Sequence, residues 1–185
     1  IDGTHWARYS QNPILVAGPA GSWDEQSIGE VSVLYDSGYY HMWFAGNDIN
    51  DIDKTSGIGY AVSKDGIHWK EFPGNPVIRG GGSGTWDKHV YGPFVRRAGS
   101  FYQMWYGGDD NSYIDRIGYA TSPRSAATVG LSSSSIDFQN VHPGTDSDTS
   151  YITVSNWGFT PLTISALVCS HHEFVLPDIS ALPIT

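Results

Sequence analysis

The sequence predicts an all-β protein: an incomplete β-propeller of two four-stranded blades plus part of a third, followed by a partial β-sandwich. Three observations predict it. Charged residues are only 16% of the 185, whereas Gly occurs 22 times and Trp 7 times, a balance that suits strands and tight turns better than long solvated helices. The chain repeats itself: IDGTHWARYSQNPIL (1–15) and KDGIHWKEFPGNPVI (64–78) share Asp2/Asp65, Gly3/Gly66, His5/His68, Trp6/Trp69, Asn12/Asn75 and Pro13/Pro76 at one offset of 63. The composition also breaks after Pro123, because every Lys and Arg lies at or before Arg124 while five acids follow (Asp137, Asp146, Asp148, Glu173 and Asp178).

Residues 1–15 are expected to close a preceding blade. A first repeat, about 16–72, opens on Trp23-Asp24. Glu30 to Tyr35 then alternates as a strand, Asp36-Ser37-Gly38 signals a turn, Tyr39 to Phe44 is an aromatic-rich strand, and Gly57 to Ser63 and Ile67 to Phe72 follow. A second repeat, about 79–123, answers in the same order: Trp86-Asp87, then Met104-Trp105 for Met42-Trp43, then RIGYATS for GIGYAVS. The offset drifts from 63 to 62 to 59, so length changes fall between conserved phrases, as in a tandem array with variable loops. Four antiparallel strands in about 60 residues is the period of a propeller blade. Tryptophans that recur once per register read first as packing between blades. Residues 124–135 form a small-residue linker. From 136 to 185, Tyr151, Thr153 and Ser155 alternate with Ile152 and Val154, and Asn156-Trp157-Gly158 marks a turn, the opening of a sandwich of short strands.

A net charge of −9, with no basic cluster beyond Arg96-Arg97, excludes nucleic acid as a partner. The single Cys169 gives neither an internal disulfide nor zinc spacing. No apolar run reaches membrane-spanning length, and the N-terminal residues lack a charged-then-apolar signal pattern, so any export signal is expected outside this chain. Two blades alone expose sheet edges and half a core. Further sequence, or self-assembly with other chains, is therefore expected to complete the ring.

The phrases NPIL/NPVI, WD, YYHMWFAG/FYQMWYGG, IGYAVS/IGYATS and SKDGIHW resemble the repeat unit of five-bladed β-propeller glycoside hydrolases, the broad group around families 32, 43 and 130. The resemblance covers residues 1 to about 123. The tail, through IDFQNV and ITVSNWGFTPLTIS, resembles the immunoglobulin-like repeats of the ASPM–SPD-2–Hydin type often appended to secreted bacterial proteins. Together these imply a carbohydrate-active protein outside the cytoplasm, extracellular or periplasmic, acting on oligosaccharides or polysaccharides. A non-catalytic carbohydrate-binding or adhesion module is the alternative, and a scaffold for protein interaction a third.

In such a propeller the start of the innermost strand and the loops before the first strand and between the second and third open onto one face. This gathers Asp24, Glu30, Asp87 and His89 beside the loop acids Asp48, Asp51, Asp53, Asp109 and Asp110. Glycoside cleavage asks for such convergence: one carboxyl protonates the leaving oxygen and another attacks or activates water. Glu30 is the first catalytic candidate, since its counterpart in the second repeat is Gly92 or Pro93, and a residue unique within a repeat points to function. The family resemblance implies a Glu at this place, commonly followed by Gly-Pro; here Val31-Ser32 follows. Asp24 and Asp87 are the further catalytic candidates, although their duplication also suits a turn-holding role. His89, Asp109, Trp43 and Trp105 are candidates to bind sugar. His41, His68 and His89 fall in no metal spacing, and no cofactor is required; the run Asp48 to Asp53 is a weak Ca²⁺ candidate, lacking an oxygen ligand at Ile52. SKDGIHW resembles a shortened Asp-box, in which the Asp holds its own turn.

Overall fold

Two short turns set the frame of the first sheet. Ser37 and Gly38 take φ of 51° and 86°, the left-handed pair a two-residue hairpin requires, and join β1 (Ser27–Asp36) to β2 (Tyr39–Asn47). The other is the bend at 64–68, where Asp65 Oδ1 accepts the amides of Ile67 and His68 at 2.8 Å each and Oδ2 meets His68 Nδ1 at 2.7 Å. The opening residues repeat this device, with Asp2 accepting from Thr4 and His5 amides and from His5 Nδ1. His5 and His68 thus serve their turns.

The computed structural model describes residues 2–48, 56–110, 112, 114–124, 129–131 and 152–156. It divides into two compact units, Ile1–Pro123 and Arg124–Thr185. In the first unit, β1, β2, β3 (Ser56–Ser63) and β4 (Lys70–Glu71) form an antiparallel sheet in that order, and β5 (Ile78–Arg79) also pairs with β3. A second antiparallel sheet runs β6 (His89–Ala98), β7 (Phe101–Asp109), β8 (Arg116–Pro123). In the second unit β9 (Val129–Leu131) pairs antiparallel with β10 (Val154–Asn156). No helix occurs among the described residues. β9 falls in the stretch expected to be linker, and apart from 152–156 the expected sandwich lies outside the described residues, as do Asp51, Asp53 and Cys169.

The fourth strand differs from expectation. Ile67 to Phe72 shrinks to Lys70–Glu71 because Asp65 takes the Ile67 and His68 amides out of any ladder. The outer edge of β3 is instead covered in two pieces, β4 on Ala61–Val62 and β5 on Gly57–Ile58. Between them Pro73 and Pro76 have no N–H to offer. The Asn75 side chain fills the gap as a surrogate peptide: its Oδ1 accepts the Tyr60 amide at 2.9 Å and its Nδ2 donates to the Tyr60 carbonyl at 3.1 Å. The second sheet has three strands among the described residues, and no phrase like KDGIHW follows its GYATS.

Inside the first sheet Met42, Phe44 and Ala61 are buried, with Leu15, Trp23, Ile28 and Trp69 packed on them. Trp23 lies so close to β2 and β3 that a Cβ at Gly46 or Gly59 would come within 2.8 Å of its ring. In the second sheet Gly108 meets Trp86 in the same way, whereas Gly118, the counterpart of Gly59, meets the Tyr106 ring. The second sheet stacks on the first through β6, which packs against β1, β2 and β3. At that seam Trp43, 7% exposed, sits 5.3 Å from both Tyr60 and Tyr102 ring centres. Asp36, 5% exposed, accepts from Tyr102 Oη at 2.7 Å and pairs with Arg97 at 3.2 Å. Burying each large apolar side chain here contributes roughly 1.5–3 kcal/mol.

Candidate functional site

Both inner strands carry the same irregularity near their starts. In β1 the register slips between Gly29 and Ser32, and in β6 between Tyr91 and Phe94, each adding a residue at a β-bulge. The bulged residues are Glu30, φ 47°, and Gly92, φ 56°. A left-handed conformation is ordinary for glycine and strained for glutamate, and strain of this kind concentrates at functional sites. The two bulges touch: the Gly92 amide donates to Glu30 Oε2 at 2.7 Å.

Beside them opens a cavity of about 550 Å³ at the seam between the sheets, lined among others by Glu30, Asn47, Asp48, Ser56, His89 and Tyr91. Each polar group in it is held. Ser56 ties the seam, its hydroxyl donating to the Val90 carbonyl at 2.8 Å and accepting the Val90 amide at 2.5 Å. His89 Nδ1 meets Asp109 Oδ1 at 3.1 Å, both side chains 20% exposed. Tyr91 Oη donates to Asp115 at 2.6 Å, and this bond, with burial and nearby acids, pushes its phenol up to about 12. Asn47 binds Gln26 and Ser27 at the rim. The arrangement presents a carboxylate, an imidazole, a phenol and an amide to one space, a set suited to hydroxyl-rich ligands.

Four of the seven residues singled out from sequence stand elsewhere. Asp24 is 2% exposed and lies outside the lining, with Ser22 beside it against Gly18. Asp87 lies against Gly81 and Gly108, and its carbonyl accepts the Gly81 amide at 2.8 Å. Asp24 Oδ2 is buried without a hydrogen-bond partner among the described residues, whereas the backbone carbonyl of Asp87 ties the entry to β6. Trp43 is buried between the sheets, out of reach of a sugar, because mid-strand side chains face the neighbouring sheet rather than the strand ends. Trp105 is its counterpart on the second sheet, packed with Phe94, Tyr119 and the Arg96 guanidinium, and is not in the lining. Glu30 and His89 line the cavity, and Asp109 stands behind His89. Asp48 lines it too, whereas Asp110 holds Arg116 at 3.1 Å. Among the described residues no group of three or more His, Cys, Asp or Glu side chains could hold a metal. Sequence reasoning missed Tyr91, Asn47 and Ser56; the one available signal was that Tyr91 directly precedes the Gly92 matched to Glu30.

Two antiparallel sheets stacked face to face, with bulged inner strands opening a cavity at one end of the seam, can be compared with known folds. A solved structure described as from the GH130 family of mannoside phosphorylases, which contains glycoside hydrolases targeting β-1,2-mannosidic linkages in Candida mannan, superposes with a TM-score of 0.50 at 22% identity, covering 63% of this chain and 37% of that one. A glycosyl hydrolase from Bacteroides ovatus gives 0.51 at 18% identity, covering 64% and 38%. The fold is that of a β-propeller. The two sheets are its blades. In sequence, the chain is 30% identical over 124 residues to a 1,2-β-oligomannan phosphorylase of Thermoanaerobacter sp., covering 62% of this chain and 40% of that protein. It is 29% identical over 83 residues to a β-1,2-mannobiose phosphorylase of the same genus, covering 40% of this chain and 27% of that protein. No protein-family model matches the chain. The propeller blades thus span about 40% of the length of the first of these relatives.

Proposed function

We propose that these blades supply part of the sugar site of an enzyme that cleaves glycosidic bonds in oligosaccharides, with β-1,2-linked mannosides the first substrates to test. The observation that carries the reading is Glu30, a carboxylate kept in left-handed backbone at the edge of the seam cavity where the companion blade uses glycine. The similarity to mannoside phosphorylases supports the substrate class. In glycosidic cleavage the bond from the anomeric carbon to the bridging oxygen breaks, an acid gives that oxygen a proton, and water or phosphate adds to the anomeric carbon. Glu30 is the group for the proton-transfer step, anchored through Oε2 to Gly92 with Oε1 left for the ligand. His89, held by Asp109, and Tyr91, held by Asp115, position sugar hydroxyls. Asp24 and Asp87, the other catalytic candidates, lie outside this lining. Among the described residues the cavity lining contains no Lys or Arg, so a phosphate nucleophile would need cations from outside this lining, and hydrolysis would need a second carboxylate beside Glu30 to attack or to activate water.

The test is product analysis with β-1,2-mannobiose, with and without inorganic phosphate, using this chain and any longer protein that carries it. Mannose alone indicates hydrolysis, and a mannose 1-phosphate ester indicates phosphorolysis. Either activity should fall at least a hundredfold in Glu30→Gln, roughly the lower range of general acid–base contributions. Saturable binding with no turnover in any carrier would leave the non-catalytic carbohydrate-binding alternative standing instead.

A further inference from the structure

The ladder position that opens each inner strand is occupied twice, by different chemistry. In the first blade Ser27 stands opposite Asn47, and its hydroxyl donates to Asn47 Oδ1 at 2.6 Å. In the second blade the matching pair is His89 and Asp109, an imidazole on a carboxylate at 3.1 Å. A neutral bond satisfies the fold at this place, so the acid and the imidazole of the second blade ask for another reason. Two residues on, Gly29 of β1 is matched by Tyr91 of β6, whose hydroxyl donates to Asp115 at 2.6 Å. The register of β6 is regular from His89 to Tyr91, so the two side chains leave the same face of the strand, roughly 6–7 Å apart along it. His89 and Tyr91 line the seam cavity, and the acids behind them do not.

These bonds settle where the hydrogens go. An ionised carboxylate can only accept. Asp109 therefore keeps the ring hydrogen of neutral His89 on Nδ1 and leaves a lone pair on Nε2, since the partner of one ring nitrogen fixes the state of the other. Asp115 takes the single hydrogen of the Tyr91 hydroxyl, and the phenol, pushed up to about 12, retains that hydrogen at neutral pH. What Oη has left for a ligand is again a lone pair. Two groups able in general to donate or to accept are thus committed as acceptors. The side-chain amides, which can donate, stand at the rim in Gln26 and Asn47.

We propose that Asp109 and Asp115 are positioning residues that make His89 and Tyr91 a pair of fixed acceptors, so that this wall selects ligands that donate hydrogen to it: sugar hydroxyls, and more strongly the ammonium group of an amino sugar. The proposal rests on the reading of the cavity as a sugar site and adds the direction of its hydrogen bonds. A hydroxyl replaced by fluorine has no hydrogen to give and leaves its acceptor unpaired, a loss that sites built around hydrogen bonds register strongly. An ammonium group only donates, and its bonds are charge-assisted. Neither acid needs to touch the ligand, because each acts through the ring it holds.

The test titrates this chain, and any longer protein that carries it, with mannose and with mannose derivatives in which each hydroxyl is replaced in turn by fluorine or by an amino group. At one ring position or more, the amino derivative should bind at least tenfold tighter than the fluoro derivative, and in Asp109→Ala or Asp115→Ala that ratio should shrink to about threefold or less. Nitrogen-15 NMR of the unliganded wild type should find the hydrogen of neutral His89 on Nδ1, and in Asp109→Ala on Nε2, a change that a merely structural role for Asp109 would not produce. Fluoro derivatives that bind as well as the amino ones at every position, a ratio unaltered in both variants, or a wild-type His89 with its hydrogen on Nε2 would each overturn the proposal and leave the sugar site standing. The first and third of these are read on the wild type, so they hold even if a variant fails to fold. Absence of saturable binding for mannose and every derivative would instead overturn the sugar-site reading, and this proposal with it.

Discussion

Glu30 combines three properties that rarely occur together by accident: a left-handed backbone, a place on the cavity wall, and a carboxylate bonded across the seam to Gly92. The companion bulge shows what the fold alone asks for, which is glycine. Replacing Glu30 by Gly should therefore leave unfolding stability within about 1 kcal/mol of wild type or raise it, relief of the backbone offsetting the lost bond to Gly92, while abolishing sugar binding. Denaturant midpoints of Glu30→Gly and Glu30→Gln decide this; a loss well beyond that figure in the glycine variant would mean the glutamate is kept for the fold. Asp109 teaches a related lesson. It was expected to bind sugar, yet its carboxylate meets His89, a pairing set by ladder register across 20 positions that no local pattern reveals.

At the scale of elements, the broken fourth strand shows how the blade tolerates its two prolines. Asn75 keeps the Tyr60 amide satisfied where the backbone cannot. Asn75→Ala strands that half-buried donor and should cost about 1–3 kcal/mol in chemical unfolding. A cost under about 0.5 kcal/mol would show that the surrogate bond is dispensable. The Asp-anchored bends carry a pH signature. The Thr4 amide, the His5 ring and the His5 amide together hold Asp2 down from 3.8 to about 2. Because the folded value lies below the unfolded one, the bend's stabilisation is complete above about pH 4 and is lost as pH falls through 2. Carboxyl carbon shifts followed by NMR should give that midpoint, rising only in part in His5→Ala because the Thr4 amide remains. A midpoint at the ordinary carboxylate value would remove the anchoring role. The strands, hairpins and bends were legible because they recur as phrases, with turn residues at fixed places. The two-piece edge on β3 was not, since it depends on one side chain imitating a peptide.

For the whole molecule, repetition revealed the scaffold and concealed the site. Trp43 and Trp105 hold equivalent positions, and residue type alone does not tell an indole that stacks on sugar from one that stacks on a neighbouring blade; burial at the seam decides it. The cavity is built from residues without twins, Glu30, His89, Tyr91 and Ser56, which a comparison of repeats registers only as mismatches. Uniqueness identified the first two, and the others needed the fold to bring β1, β3 and β6 together. The chain spans about 40% of the length of its first relative, and on the proposed function the seam between its two blades holds sugar. Calorimetric titration of β-1,2-mannobiose into the chain tests it most directly. Saturable binding is expected, weakening at least tenfold, about 1.4 kcal/mol, in Glu30→Gln and staying unchanged in Asp87→Asn. No saturable heat, or equal affinity in wild type and Glu30→Gln, would contradict it.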